Sequence, residues 1–166
     1  LEFMQRRDLG FTRDEVFVIS AAHIRGVDRN VYSAFLNELK SQSLVKSVTQ
    51  CNSLPSISGW RGQVAYPEGK SGEDAVSTHY IAADENYLAT LDLTLAAGRN
   101  FDPARPSDED ALLINESAAA AFGWSSPENA IGKKITSPSG TPAGTVIGVV
   151  KDYHDQGLQN KVSLNA

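Results

Sequence analysis

The fold is constrained most by an amphipathic segment that lies between two β-type runs near the start of the chain. Residues 28–43 carry apolar side chains at helical spacing: Val31, Phe35, Leu36 and Leu39. The flanking runs 15–20 (EVFVIS) and 44–50 (LVKSVTQ) are rich in β-branched residues. This order predicts a strand-helix-strand unit in which one face of the helix packs on a sheet.

Shorter elements separated by turn clusters follow this unit. We predict strands at 63–66, 75–81, 111–114, 134–136 and 145–151, and short helices at 84–91 and from Asn115 to Gly123. The run 145–151 (TVIGVVK) is the most continuously apolar of these strands, which predicts that it is buried and returns to the first sheet. The predicted fold class is therefore α+β, with a small, mostly β subdomain inserted into a strand-helix-strand part.

Composition excludes several classes of protein. The 166 residues are 41% hydrophobic and 21% charged, as in an ordinary globular domain. The net charge of -5 and the lack of a lysine or arginine run exclude a nucleic-acid footprint, which needs a concentrated basic face. Cys51 is the only cysteine, so neither an intrachain disulfide nor a thiolate zinc cluster can form.

Three motifs that could bind a ligand have simpler structural interpretations. Residues 68–71 (EGKS) end like a phosphate-binding loop, but Val64 stands where the first glycine is required, so we expect a hairpin turn. The acidic triplet 108–110 lacks the alternate-residue spacing of a calcium loop, which favours a solvated turn. The histidines share no metal-binding spacing and are expected at surface or edge positions: His23, His79 and His154.

No catalytic constellation emerges from the sequence. The cluster 151–154 (KDYH) follows a strand, as reactive groups of α/β enzymes do, but turn capping explains it more simply. Trp60 and Trp124 are candidate partner-binding residues, because aromatic side chains in glycine- and serine-rich surroundings can serve as anchors. For Trp124, which follows Gly123, a core position is the competing interpretation. The residues alone favour a binding or structural module over an enzyme.

A series of short motifs resembles one known family. In chain order they are 98–101 (GRNF), 111–118 (ALLINESA), 122–124 (FGW), 127–133 (PENAIGK) and 146–154 (VIGVVKDYH). Together they resemble the MacB-like periplasmic core domain of FtsX-type ABC transporter permeases. The N-terminal stretch 4–11 (MQRRDLGF) is similar to the one that leaves the first membrane helix in this family.

The resemblance implies a non-catalytic periplasmic domain of an inner-membrane protein, inserted between two membrane helices of a permease. It implies a permease homodimer or heterodimer, a cytoplasmic ATPase as partner, and an envelope protein as a further candidate partner. No cofactor is implied for this domain, since ATP would be used by a separate domain or subunit. The implied role is to couple motion of the membrane helices to export or mechanotransmission.

The same resemblance gives the expected domain boundaries. Residues 1–14 would be an expression-vector scar and membrane-exit segment, 15–92 plus 145–166 a porter-like subdomain, and 93–144 the inserted subdomain. In the family, a second strand-helix-strand stretch follows the segment that resembles 145–158. We therefore expect the porter-like part to be incomplete at its C-terminus.

The residues alone leave two other functions open. The first is a stand-alone extracytoplasmic module that binds a ligand or protein near Trp60 or Trp124. The second is a small hydrolase that uses Asp152 and His154.

Overall fold

The protein is described by a computed structural model over residues 15–20, 29–52, 62–140 and 142–153. Its helices are α1 (Arg29–Ser41), α2 (Tyr87–Thr90), α3 (Glu116–Ala121) and α4 (Pro127–Ala130). Its strands are β1 (Gly62–Pro67), β2 (Val76–His79), β3 (Leu95–Gly98), β4 (Ala111–Asn115), β5 (Lys134–Thr136) and β6 (Pro142–Val150). Short 3-10 turns lie at Gly72–Asp74 and Pro106–Asp110. Within these ranges, no helix is long and apolar enough to cross a bilayer.

The six strands form one sheet in the order β2-β1-β5-β6-β3, and β4 also pairs with β6. Every pairing is antiparallel except that of β4 with β6. Strands β3 and β5 lie along one edge of β6, and β4 lies along the other. Thr145 and Val150 show this arrangement, because each of them has a paired residue on both edges. This strand is therefore the centre of the sheet.

The core lies on both faces of β6. Val146 and Val149 are fully buried in a cluster with α3 and α4, whose main members are Ile114, Ala118, Phe122, Ala130 and Ile135. The next side chain, Val150, points to the other face, where it packs in a second cluster with Tyr87, Leu88, Leu91, Leu93 and Tyr153. A strand that buries both faces needs a continuous apolar run, which explains the sequence of this segment.

Most of the predicted elements are confirmed, and so is the α+β class. The structure has the predicted helix α1 and the strands β1, β2, β4, β5 and β6, with β6 starting three residues earlier than expected. Strand β3 and helix α4, each only four residues long, were not predicted from the sequence. Residues 68–71 form the start of the β1–β2 connection, so the expected hairpin turn is confirmed.

The strands predicted on either side of α1 were wrong. Residues 16–20 and 45–50 form no strand, and Phe17 is 93% exposed. Among the residues that the structure describes, the one ladder contact there is an isolated bridge between Cys51 and Ala83. An apolar run becomes a strand only where a neighbouring strand supplies the second set of hydrogen bonds, and no described strand lies beside residues 16–20.

The sheet joins segments from both predicted subdomains. The β1–β2 hairpin belongs to the predicted porter-like part, yet β1 pairs with β5 of the predicted insertion. Likewise β6, whose residues from 145 onward were assigned to the porter-like part, pairs with β3, β4 and β5. The boundaries at 93 and 144 remain a prediction.

Candidate functional site

A hydrogen-bond network joins the start of α3 to the end of β6. The Asn115 side chain caps α3 by accepting from the Ala118 N–H at 3.0 Å. The Asp152 carboxylate accepts from the Ser117 N–H at 2.9 Å and from its hydroxyl at 2.6 Å. The Glu116 carboxylate accepts from the Asp152 N–H at 3.2 Å. Asp152 is therefore a capping residue, as the simpler interpretation of the 151–154 cluster predicts.

Removal of this cap should lower the free energy of unfolding measurably. Asp152→Ala should lower the free energy of unfolding by about 1–2 kcal/mol, because two donors at the start of α3 lose their acceptor. Asp74→Ala is the matched control, since Asp74 only meets Lys70 at 3.7 Å in an exposed pair and should cost less than about 0.5 kcal/mol. Urea unfolding followed by circular dichroism measures both. Equal losses in the two variants would contradict the capping role.

A bidentate ion pair fixes the loop that follows β3. The Arg99 guanidinium donates to both oxygens of Asp108, at 2.5 Å and 2.7 Å, and the Asp108 side chain is only 6% exposed. Asp108 also accepts from the Asp102 N–H at 3.0 Å. Hydrogen bonds from Arg99 hold the pKa of Asp108 well below its usual range, against the opposing effect of desolvation. The acidic triplet thus forms the expected turn, but Asp108 is buried in an ion pair rather than solvated.

The ion pair between Arg99 and Asp108 should make a pH-dependent contribution to the free energy of unfolding. Because the folded-state pKa of Asp108 lies below its unfolded value of about 4, its contribution is present above that pH and is lost as the pH falls through the folded-state value. The free energy of unfolding of the wild type should therefore exceed that of Asp108→Asn by a constant amount between about pH 5 and 7, and this difference should shrink below about pH 4. The difference between the wild type and Arg99→Gln should depend on pH in the same way. A margin that is unchanged at about pH 2.5 would contradict the assignment.

A groove of about 510 Å³ opens between the segment 80–88 and the segment 100–115. Its floor consists of side chains from the second core cluster, including Leu88, Leu93 and Tyr153. All five residues of β4 line one wall. The lining also includes the acidic residues Asp84, Glu85, Asp102, Asp108 and Glu109, and the basic residue Arg105. The lining of the groove therefore combines apolar and acidic residues.

Of the two predicted partner-binding residues, the structure describes Trp124. Trp124 is half-buried and packs on Phe122, with ring centroids 5.1 Å apart, beside the first core cluster. It lies outside the lining of the groove. Trp60, His23 and His154 lie outside the described residues. The role of the two tryptophans in partner binding therefore stays a prediction.

Sequence reasoning missed both the Arg99–Asp108 pair and the groove. Arg99 and Asp108 are nine positions apart in irregular segments, so no periodicity links them. The groove is formed by tertiary packing of segments that are about 20 residues apart, and no local pattern indicates it. Among the described side chains, no three of the His, Cys, Asp and Glu type cluster as a metal site.

Comparisons with known proteins match one family and several solved structures. The model of the MacB-like periplasmic core domain matches residues 4–164. The periplasmic region of MacB from Actinobacillus actinomycetemcomitans is similar at 23% identity and a TM-score of 0.55, over 81% of this chain and 53% of that one. A domain of a putative permease from Porphyromonas gingivalis is similar at 17% identity and a TM-score of 0.52, over 78% and 54%.

A third similar structure is the extracellular domain of the noncanonic ABC-type transporter YknZ from Gram-positive bacteria. It shares 20% identity and a TM-score of 0.51, over 78% of this chain and 58% of that one. The chain therefore spans a little more than half the length of these structures. No curated protein matches the sequence significantly. The structures support the fold, and the family model covers almost the whole sequence, so this chain belongs to the MacB-like periplasmic core domain family, the extracytoplasmic domains of MacB- and FtsX-like ABC transporter permeases.

Proposed function

We propose that this chain is a non-catalytic periplasmic domain of an inner-membrane ABC transporter permease, and that it couples ATPase-driven motion of membrane helices to export or mechanotransmission. The observation that carries this proposal is the central position of β6, which pairs with β3, β4 and β5 and is tied to α3 through Asp152. We expect a sheet connected in this way to move as one body, as a mechanical coupling element would.

The proposed partners lie outside this chain. They are a cytoplasmic ATPase, a second permease copy or a related permease as dimer partner, and an envelope protein. ATP would bind to the ATPase, so the domain itself would hold no cofactor. Trp60 and Trp124 remain the proposed contacts to a partner.

Distance measurements in the full-length permease test the coupling. A spin label on Glu73→Cys, in a Cys51→Ser background, places a probe on the exposed 3-10 turn of the β1–β2 connection. In a permease dimer with its ATPase, the distance between the two labels should shift when ATP binds. An ATPase variant that does not bind ATP is the control. An unchanged distance in an ATPase-active complex would contradict coupling through this domain.

The alternative function is a stand-alone extracytoplasmic module that binds a ligand or protein. The groove between 80–88 and 100–115 is the observation that favours it. Full-length sequence separates the two proposals, since the permease requires flanking apolar spans of about 20 residues.

A further inference from the structure

Residues 44–52, which we call the strap, follow α1 and lie along the segment that leads into α2. None of the side chains from Asn30 to Asn52 is buried. In the central strand, by contrast, Val146 and Val149 are completely buried. Because burial of apolar surface is the main term that holds a segment in place, we expect the strap to open at a lower cost in free energy than the sheet.

Two backbone hydrogen bonds join the strap to residues 82–84. The Asn52 N–H donates to the Ala82 C=O at 2.9 Å, and the Asp84 N–H donates to the Gln50 C=O at 3.1 Å. These bonds flank the isolated bridge described above. The Asn52 side-chain oxygen also accepts from the Ala82 N–H at 2.9 Å. A strand pairing of this length is only marginally stable by itself, so other contacts have to hold the strap closed.

The Asp84 side chain supplies such contacts. Its Oδ1 accepts from the Thr49 hydroxyl at 2.5 Å and from the Asn86 N–H at 3.1 Å. Its Oδ2 accepts from the Gln50 N–H at 3.1 Å. One carboxylate therefore binds two residues of the strap and the backbone just before α2. Because hydrogen bonds to a carboxylate are stronger than those between neutral groups, we expect Asp84 to hold the strap more firmly than the neutral contacts around it.

The strap also contacts the end of α2 and the second core cluster. The hydroxyls of Ser47 and Thr90, the last residue of α2, are 2.6 Å apart in an exposed hydrogen bond. Water competes for both groups, so this bond contributes little to stability. Cys51 is half-buried and packs against the second core cluster. The strap therefore reaches both ends of α2 and covers part of this cluster.

We propose that the strap is a conformational device, which Asp84 holds closed against α2 and which opens while the six-stranded sheet stays folded. In the open form, the part of the second core cluster beside Cys51 becomes accessible. This inference goes beyond the coupling function and does not rest on it, since opening of the strap requires neither ATP nor a permease dimer.

Native-state amide hydrogen exchange on the full 166-residue chain tests the proposal. The reporters are the N–H groups of Asn52 and Ala82, since both of their hydrogen bonds break when the strap opens and neither involves the Asp84 side chain. The slowest amides of β6 report global unfolding. After correction for intrinsic rates, the two reporters in the wild type should exchange at least about 100-fold faster than these β6 amides.

Two variants test the role of the Asp84 side chain. Asp84→Ala should accelerate exchange of both reporters by about tenfold, because the strap loses an acceptor for two of its donors. Thr49→Val removes one of these donors and leaves the contact to Asn86 intact, so it should accelerate exchange by at least about threefold. Asp74→Ala is the control, since Asp74 lies in an exposed pair with Lys70, and should change exchange by less than about twofold.

Ile135→Val separates opening of the strap from global unfolding. Ile135 is 1% exposed in the first core cluster, so this variant destabilises the closed and open forms equally. Exchange of the β6 amides should accelerate by about threefold or more, whereas the two reporters should stay within about twofold of the wild type. Equal acceleration of the reporters and the β6 amides would show that the strap opens only when the whole chain unfolds, and would overturn the proposal. Reporter exchange that is unchanged in both Asp84→Ala and Thr49→Val would also overturn it, because Asp84 would then not hold the strap closed.

Discussion

Gly98→Ala should lower the free energy of unfolding of this chain by about 3–5 kcal/mol, because the substitution adds backbone strain to a steric clash. Gly98 has a φ of +75°, in the left-handed region that favours glycine. A Cβ at this position would overlap the Ile147 carbonyl oxygen and would lie 2.7 Å from Ile131 Cδ1 and 2.8 Å from Gly148 Cα. Two of these neighbours are backbone atoms of the central strand, so they have little freedom to move.

Two further glycine variants separate the effect of backbone strain from the effect of the steric clash. Gly123 ends α3 with a φ of +82°, but a Cβ there meets nothing within 4 Å, so Gly123→Ala should cost only about 1 kcal/mol of strain. Gly148 has no positive φ, but its Cβ would overlap the Arg99 carbonyl oxygen, so Gly148→Ala should cost about 1–3 kcal/mol from the clash alone. Urea unfolding of the three variants measures these losses. A Gly98→Ala loss no larger than that of Gly123→Ala would contradict the close approach of β3 to β6.

Phe122→Ala should also lower the free energy of unfolding by about 3–5 kcal/mol, because it empties a large volume in the first core cluster. Phe122 directly follows α3 and is 6% exposed. Its N–H donates to the Ala118 C=O at 2.9 Å, so the backbone holds the ring in place over the buried face of the sheet. Chemical unfolding followed by circular dichroism measures the loss without relying on tryptophan emission.

Phe17→Ala is the matched control for this prediction. Phe17 is 93% exposed, so the same change there should alter stability by less than about 0.5 kcal/mol. A double-mutant cycle of Phe122→Ala with Trp124→Ala should give a coupling energy of about 0.5–1.5 kcal/mol, because the two rings are in contact. Zero coupling, or equal losses for Phe122→Ala and Phe17→Ala, would contradict the described core.

The elements that were predicted correctly are those with a distinctive local sequence pattern. β6 was predictable from its continuous apolar run, and α3 from a capping Asn115 and a terminal Gly123. β3 was missed because four residues (LAAG) carry too little β-type pattern to stand out from a turn. The runs beside α1 carried a strong strand pattern and still formed no strand, since a strand needs a neighbour that local sequence does not specify.

The candidate site was predictable only in part. The capping role of Asp152 followed from its place after a strand, but its partners Ser117 and Glu116 lie about 35 positions away. The groove could not be predicted from the sequence, because it depends on how residues 80–88 and 100–115 pack against each other. Local sequence patterns indicate which segments are extended and not how those segments pack.

Thiol labelling in whole cells tests the central claim, that this domain lies outside the cytoplasm as part of a permease. The full-length gene product would carry Cys51→Ser and Glu73→Cys, which places a single thiol of this domain on the exposed 3-10 turn. A membrane-impermeant maleimide should label it before the inner membrane is opened, to the same extent as in fully permeabilised cells. Labelling that appears only after the inner membrane is opened would place the domain in the cytoplasm and contradict the account.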